Sequence, residues 1–513
     1  MKARKTAHLV AAVCVTFALL LAGPSWGRQN ARLVLEPTAR AIAQANRRDA
    51  SQMYDASMAT AFARLLYSYC DFADELGRRE VGGVPVGSVN RPSTISAEDA
   101  AWEVDWIFRV LKYGYAGYQC FGGDEAFLAA KGRILQALST RSGDLPIEEY
   151  ESLICDHLGF IQDGHLSLGR TRLCEFYSLF WNPEYEFGRD EDGFFVASDG
   201  SLRRAASIEG DDPCNYLKPS ISETGDIIFV PGVIRPRLNA GFAIKVKYRG
   251  GYSETIHLDQ MVSTAQRGPA YELGAIDDAP LLACRSYGPS DANLGGLNAF
   301  VDDVSRLRDE RVIILDIRSN PGGSSQYPTA WLWRLMYQLP RAQQIYANLT
   351  TETAAALLDS MLSSYSDEAQ TPKDAAAFLR QNTDRSRPGW SSIHHAAGAI
   401  VGNQPFIAVI MDSLVASAAE DLVLGLRHAD NVVFIGANTR GALATGTVGT
   451  CWLPISRLGM RVPVALNRVE DMTNRDGLGL FPDFWVDPDH AVERAARFLH
   501  KHLVPDSSRQ SRP

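Results

Sequence analysis

Apolar positions recur at helical spacing through the first third of the chain, alternate singly through the next stretch, and then run unbroken in short blocks. From about Arg32 to Gly169 the pattern is mainly helical, interrupted by a Gly/Pro/Ser-rich loop at Val81 to Thr94. Ser96, followed by Glu98 and Asp99, reads as a helix start, and Val104, Ile107, Phe108 and Leu111 form its apolar face. A second helix is predicted from Pro146, with Ile147, Tyr150, Ile154, Leu158 and Ile161 on one side; it leads into Gln162-Asp163-Gly164-His165. Between Glu184 and Gln260 the period changes to two. Ile244, Val246 and Tyr248 alternate with Lys245, Lys247 and Arg249, and Gly250-Gly251 predicts a two-residue hairpin into Tyr252 to Leu258. The segment Ala206 to Leu217 suits the turn and helix of a PDZ-like module, although it lacks a glycine-rich carboxylate loop.

Buried parallel strands follow. Leu281–Arg285, a helix over Leu294–Leu307 and the unbroken Arg311–Ile317 make a βαβ unit. Ala330 to Arg380 is helix-rich, and Asn382 to Gly402 reads as a polar loop. Phe406 to Met411 is another apolar strand, and Ala418 to His428 has helical composition, leaving almost no turn between them. Further strands are predicted at Asn431–Gly436, Cys451–Pro454 and Met460–Leu466, and a last helix from Asp489 to Leu503. The domain plan is therefore 1–27 a leader, 28–175 helical, 176–265 a β module, 266–490 an α/β core with a helical insertion at 328–402, and 491–513 a helix and tail.

A fraction of 46% apolar and 22% charged residues fits a globular protein, and a formal net charge of −9 with no basic face argues against a nucleic-acid partner. Lys2, Arg4 and Lys5 precede an apolar core at Leu9–Ala22 and the small residues Ser25 and Gly27, which is the layout of a secretory signal cleaved near Arg28. The expected location is secreted or periplasmic, with no stable membrane insertion after cleavage. Cys70, Cys120, Cys155, Cys174, Cys214, Cys284 and Cys451 would remain, and in an oxidising compartment some are expected to pair. Their irregular spacing gives no metal motif, and no cofactor is implied.

Ser417 stands at the strand-to-helix turn, where free N–H groups and the positive end of the helix dipole can stabilise an oxyanion. The plainer reading makes Ser417 a helix cap, with Glu420 completing an S-x-x-E capping box. His165 alone suits a helix C-terminus, and Asn320-Pro321-Gly322-Gly323 alone is a flexible loop. The combination of QDGHLSL, VIILDIRSNPGG, IMDSLVASAAEDLVLGL with FIGANTRGA, and DGLGLFPD, in that order, resembles the tail-specific, C-terminal-processing serine peptidases of family S41. The nearer branch is the one related to the core of tricorn protease.

The resemblance implies an α/β, crotonase- or ClpP-like ββα core, an acyl-enzyme mechanism with Ser417 as nucleophile, and an oxyanion hole from the amides of Ala418 and Gly322 or Gly323. Many members use a lysine base about 25 residues beyond the serine, but no lysine lies between Lys373 and Lys501. Arginine does not release its proton at working pH, so the expected base is His165, as in the tricorn branch. Asp476 is the favoured orienting carboxylate, ahead of Asp163 and Glu420. Gly164 stands where that branch has a serine, and Asp476 where it has a glutamate. Peptides or proteins are the implied substrates, with oligomerisation left open. A non-catalytic binder on the same scaffold is the alternative.

Overall fold

The structure is a computed structural model that describes residues 32–45, 56–82, 91–198, 201–237, 240–340, 344–362, 384, 386–396, 398, 400–403, 405–469 and 472–506. The predicted leader, and much of the Val81–Thr94 loop and of the 328–402 insertion, lie outside the described residues. Residues 33–504 form one compact unit.

Among the described residues, after a short strand and three short helices before residue 82 come three longer helices: α1 (Ala97–Gly114), α2 (Gly123–Ser139) and α3 (Ile147–His157). Ser96 caps α1, its hydroxyl accepting from the Asp99 amide at 3.1 Å. α3 stops a turn earlier than the apolar spacing suggests: Leu158 is its C-cap, and Ile161 is buried from the loop that follows. Beyond α3 come two short strands, β1 (Ser167–Leu168) and β2 (Thr171–Arg172).

Residues 177–260 form an eight-stranded antiparallel sheet. The helix expected near Tyr216 is only a 3-10 turn at Pro213–Asn215, held by the Asp212 side chain on the Cys214 amide. The glycine hairpin has three loop residues, because the Tyr248 amide donates to the Tyr252 carbonyl at 2.8 Å and leaves 249–251 as the turn. Gly250 and Gly251 have φ of 95° and 94°, which accounts for two glycines there.

The core sheet contains β3 (Ala279–Cys284), β4 (Val312–Asp316), β5 (Phe406–Met411) and β6 (Val432–Gly436), all parallel. Alternate residues of β4 and β5 face opposite ways. Ile313, Leu315, Ile407 and Val409 pack with α4 (Leu294–Asp302), α5 (Gln326–Met336) and α7 (Ala418–Arg427); Ile314, Ala408 and Ile410 pack with α8 (Ala491–His502). Burial on both faces is why these strands read as unbroken apolar runs. The predicted helix over 294–307 breaks at Asp303, into α4 and one further turn.

A second sheet is built on the hairpin of β7 (Thr445–Trp452) and β8 (Gly459–Val469) and includes β1 and β2. It also takes in Gln344–Asn348 and His394–Ala396, the latter inside the stretch read as polar loop. Its inner face shares one apolar cluster with α1, α2, α3 and α6 (Glu352–Leu362). That cluster docks the helical N-terminal part, with the loop after α3, onto the core.

All seven described cysteines are free thiols. The expected pairing fails because several serve as small apolar side chains. Cys155 and Cys451 are packed in the helical cluster and Cys284 under the core sheet, and burial pushes each thiol up to about 12.

Candidate active site

Three loops leave the carboxyl ends of the adjacent parallel strands β4, β5 and β6, the edge where open α/β sheets place their ligands. The β4 loop carries Asn320-Pro321-Gly322-Gly323, the β5 loop ends at Ser417, and the β6 loop runs from Asn438 to Ala442.

Ser417 is the N-cap of α7, with φ 55° and ψ −125°. That backbone region disfavours any residue with a Cβ and costs on the order of 1–3 kcal/mol, so the surrounding packing holds the turn in place. The side chain is half-buried. Its hydroxyl does not cap α7: the Glu420 amide donates instead to the Ser417 carbonyl, at 2.7 Å. Only half of the expected capping box therefore holds, the Ser417 amide donating to Glu420 Oε2 at 2.9 Å.

Glu420 is fully buried and accepts three more hydrogen bonds, from Thr439 Oγ1 (2.5 Å), the Gly441 amide (2.9 Å) and the Ala442 amide (2.8 Å). Burial pushes its carboxyl up, and the four donors oppose that. It is a clamp between the serine turn and the β6 loop.

The glycine loop presses on the serine from the other side. A Cβ placed on Gly322 would lie 2.8 Å from Ser417 Cβ and 2.9 Å from the Ala418 nitrogen. Gly322 (φ 91°) is therefore required both by its dihedral and by this approach. Its amide is already engaged, donating to Asn320 Oδ1 at 3.0 Å, while Asn320 Nδ2 donates to the Cys284 carbonyl at 3.1 Å. The Gly323 and Ala418 amides have no acceptor among the described residues. Asn320 also ties the loops together, its carbonyl accepting from the Ala416 amide at 3.0 Å. Behind it, Arg318 and Arg285 grip Asp316 in a buried network that holds this carboxyl below its usual range.

His165 follows α3 and is 8% exposed. Its Nδ1 is 3.5 Å from Thr445 Oγ1, and its Nε2 is buried with no hydrogen-bond partner among the described residues. Desolvation lowers the imidazole to about 4, aided by the positive Arg461 and Arg172 and opposed by the Asp163 charge. Asp163 Oδ1 accepts from the His165 amide at 2.8 Å, both of its oxygens lie within 3.0 Å of Thr445 Oγ1, and Oδ2 accepts from Tyr115 at 2.7 Å.

Asp476, the favoured partner of the imidazole, makes no hydrogen bond to it. Its oxygens accept from the amides of Gly164, Leu443 and Ala444, each at 2.8 Å, so it fastens the histidine loop to the β6 loop. Burial and the neighbouring Asp163 charge push this carboxyl up. The fit is close enough to explain Gly164: a Cβ there would collide with the Gly441 carbonyl and stand 3.0 Å from Ala442 Cα. No serine can precede the histidine in this packing.

The sequence reading missed Thr445, Tyr115 and Asn320 as parts of the site. Threonine and tyrosine carry no motif there, and Asn320 was taken only as loop. Among the described residues no three His, Cys, Asp or Glu side chains converge as metal ligands.

A serine on a constrained strand-to-helix turn, faced by a glycine loop with free amides, is an arrangement suited to nucleophilic attack on a carbonyl. The model of peptidase family S41 matches residues 291–486. Among solved structures the chain is similar to mature CPAF (13% identity, 79% of this chain and 97% of that one, TM-score 0.43). It is also similar to a photosystem II D1 C-terminal processing protease (13%, 80% and 98%, TM-score 0.36). A third likeness is to the tricorn protease (10%, 80% and 36%, TM-score 0.33). No curated protein matches the chain. Among the described residues no helix is long and apolar enough to cross a membrane.

Proposed function

We propose that the chain is an exported serine endopeptidase in which Ser417 is the nucleophile and His165 the general base. The observation that carries this is the seating of the glycine loop against Ser417, with the Gly323 and Ala418 amides free of acceptors beside it. Ser417 Oγ attacks the scissile carbonyl carbon as His165 Nε2 takes the hydroxyl proton. The carbonyl oxygen becomes an oxyanion, stabilised by those two N–H groups and by the α7 dipole. Collapse breaks the C–N bond, His165 returns the proton to the leaving amine, and water releases the acyl group by the same route.

The orphaned Nε2 suits this role, because a buried nitrogen without a partner is kept for a proton that only the reaction brings. Asp163, acting through Thr445, is the carboxylate that orients the ring and offsets the imidazolium; Asp476 and Glu420 position the loops. The basic and apolar order of residues 1–27 supports export.

The test is labelling of the full chain with a fluorophosphonate. Ser417 is labelled in the parent protein and not in His165→Ala, and Ser417→Ala hydrolyses no peptide while unfolding at the parent temperature. Hydrolysis by folded Ser417→Ala at the parent rate refutes the assignment.

A further inference from the structure

Four arginines surround the histidine side of this site, and none of them pairs with a carboxylate among the described residues. Arg172 on β2 and Arg461 on β8 both stand opposite Ser167 of β1, in register across three antiparallel strands. Directly opposed residues share a sheet face, so the two project from the same side, two residues beyond His165. Arg172 also donates from Nη1 to the Gly164 carbonyl at 3.2 Å.

Arg440 immediately precedes Gly441, the residue against which Gly164 packs. Its guanidinium lies 5.8 Å from the centre of the Phe176 ring, and that of Arg237 lies 5.6 Å from the same ring. Arg237 is positioned by Nε donating to Ser178 Oγ at 3.2 Å. Arg172, Arg237 and Arg461 are exposed and Arg440 half-buried.

The nearby acids do not neutralise them. Asp163 and Asp476 are buried and occupied by amides and hydroxyls. Glu175 accepts from Tyr177 at 3.2 Å, and Glu420 is filled by its own four donors. Burial first, and then repulsion from Arg172 and Arg237, brings Arg440 down to about 10, with the charges of Glu420 and Asp412 opposing. In a chain with a net charge of −9, four arginines without a carboxylate partner, two of them over one phenylalanine, beside the serine and histidine loops, are a local reversal of sign.

We propose that this cluster is a substrate subsite for the carboxylate side chain of an aspartate or glutamate close to the scissile bond. Guanidinium groups match a carboxylate by paired N–H bonds, and Phe176 supplies an apolar floor for its methylenes. The proposal rests on the peptidase reading of Ser417 and His165, since that reading makes the neighbouring groove the path of a peptide.

The experiment uses internally quenched peptides with amidated C-termini, alike except for a single Glu or Gln moved through the three positions on either side of the cleaved bond. At one position the Glu peptide should exceed the Gln peptide about tenfold in kcat/KM, in keeping with charge-assisted hydrogen bonds. Arg237→Ala should cut that ratio to about two and leave the Gln peptide unchanged, and Arg237→Glu should invert it. In parallel, full-length Ser417→Ala is titrated with both peptides by fluorescence anisotropy, and the Glu peptide should bind about tenfold more tightly. Equal binding of the two peptides overturns the subsite, as does a preference that survives Arg237→Ala together with Arg440→Gln. A preference seen only when the C-terminus is a free carboxylate also overturns it. Failure of the peptidase reading appears separately, as no turnover of either peptide while the difference in binding persists.

Discussion

His165 should titrate far below an ordinary histidine, and this has two measurable consequences. Burial takes its pKa from 6.5 to about 4. The unfolded chain binds a proton here as pH falls below about 6.5, whereas the folded chain does not until about 4. Stability from this group is therefore complete above pH 6.5 and is lost as pH falls from 6.5 to 4, by about 3 kcal/mol over the 2.5-unit gap. Catalysis follows the same proton. With the neutral ring as the proposed base, kcat/KM, which reports the free enzyme, should hold from neutral pH down to about 5 and fall along a limb centred near 4. The profile is measured at constant ionic strength on a quenched peptide from pH 3.5 to 8, while the His165 carbon resonances are followed by NMR to assign the limb. Asp163→Asn removes the charge that favours the imidazolium. The limb should move further to acid, and kcat should drop by up to about ten-thousandfold, the size for an Asp→Asn change in the carboxylate that orients a catalytic histidine. A His165 resonance titrating near 6.5 in the folded protein, or an Asp163→Asn limb shifted toward neutral pH, would refute the reasoning.

Other outcomes follow from the packing. Gly164→Ser forces a side chain into the Gly441 carbonyl and should destabilise the fold by about 2 kcal/mol and abolish peptide hydrolysis; an unchanged melting temperature would show that the two loops are not so closely fitted. Asn320→Ala removes the acceptor of the Gly322 amide and the tie to the Cys284 carbonyl, so kcat should fall about a hundredfold with little change in KM. Ser417→Gly relieves a φ of 55° and should raise stability by about 1 kcal/mol in a protein without activity, read by denaturant unfolding.

The parallel strands were legible because both of their faces are buried: nothing but apolar side chains fits Ile313–Leu315 or Phe406–Met411. The helical start at Ser96 was legible from its cap. The PDZ-like helix misled, since Pro213 and the Asp212 cap begin a turn that strand pairing at Leu217 then ends. The Ser417 turn and the glycine loop could be read because their chemistry depends on local backbone. The environment of His165 could not, because Tyr115 and Thr445 come from distant elements and hydrogen-bond partners across the fold leave no periodic trace. Asp476 was chosen by its place in a motif, yet its three amide donors show that a buried carboxylate near a histidine can be committed to the main chain.

The Glu420 clamp has a consequence for when the protein becomes dangerous to its neighbours. The serine turn and the histidine loop come from opposite halves of the chain, and each leans on the β6 loop, one through Glu420 and the other through Gly441 and Asp476. Such distant partners meet late in folding. A chain caught half-folded holds the proposed nucleophile in one piece and the proposed base in another. The last docking event thus serves as a safety catch, and proteolytic activity arrives only with the finished fold.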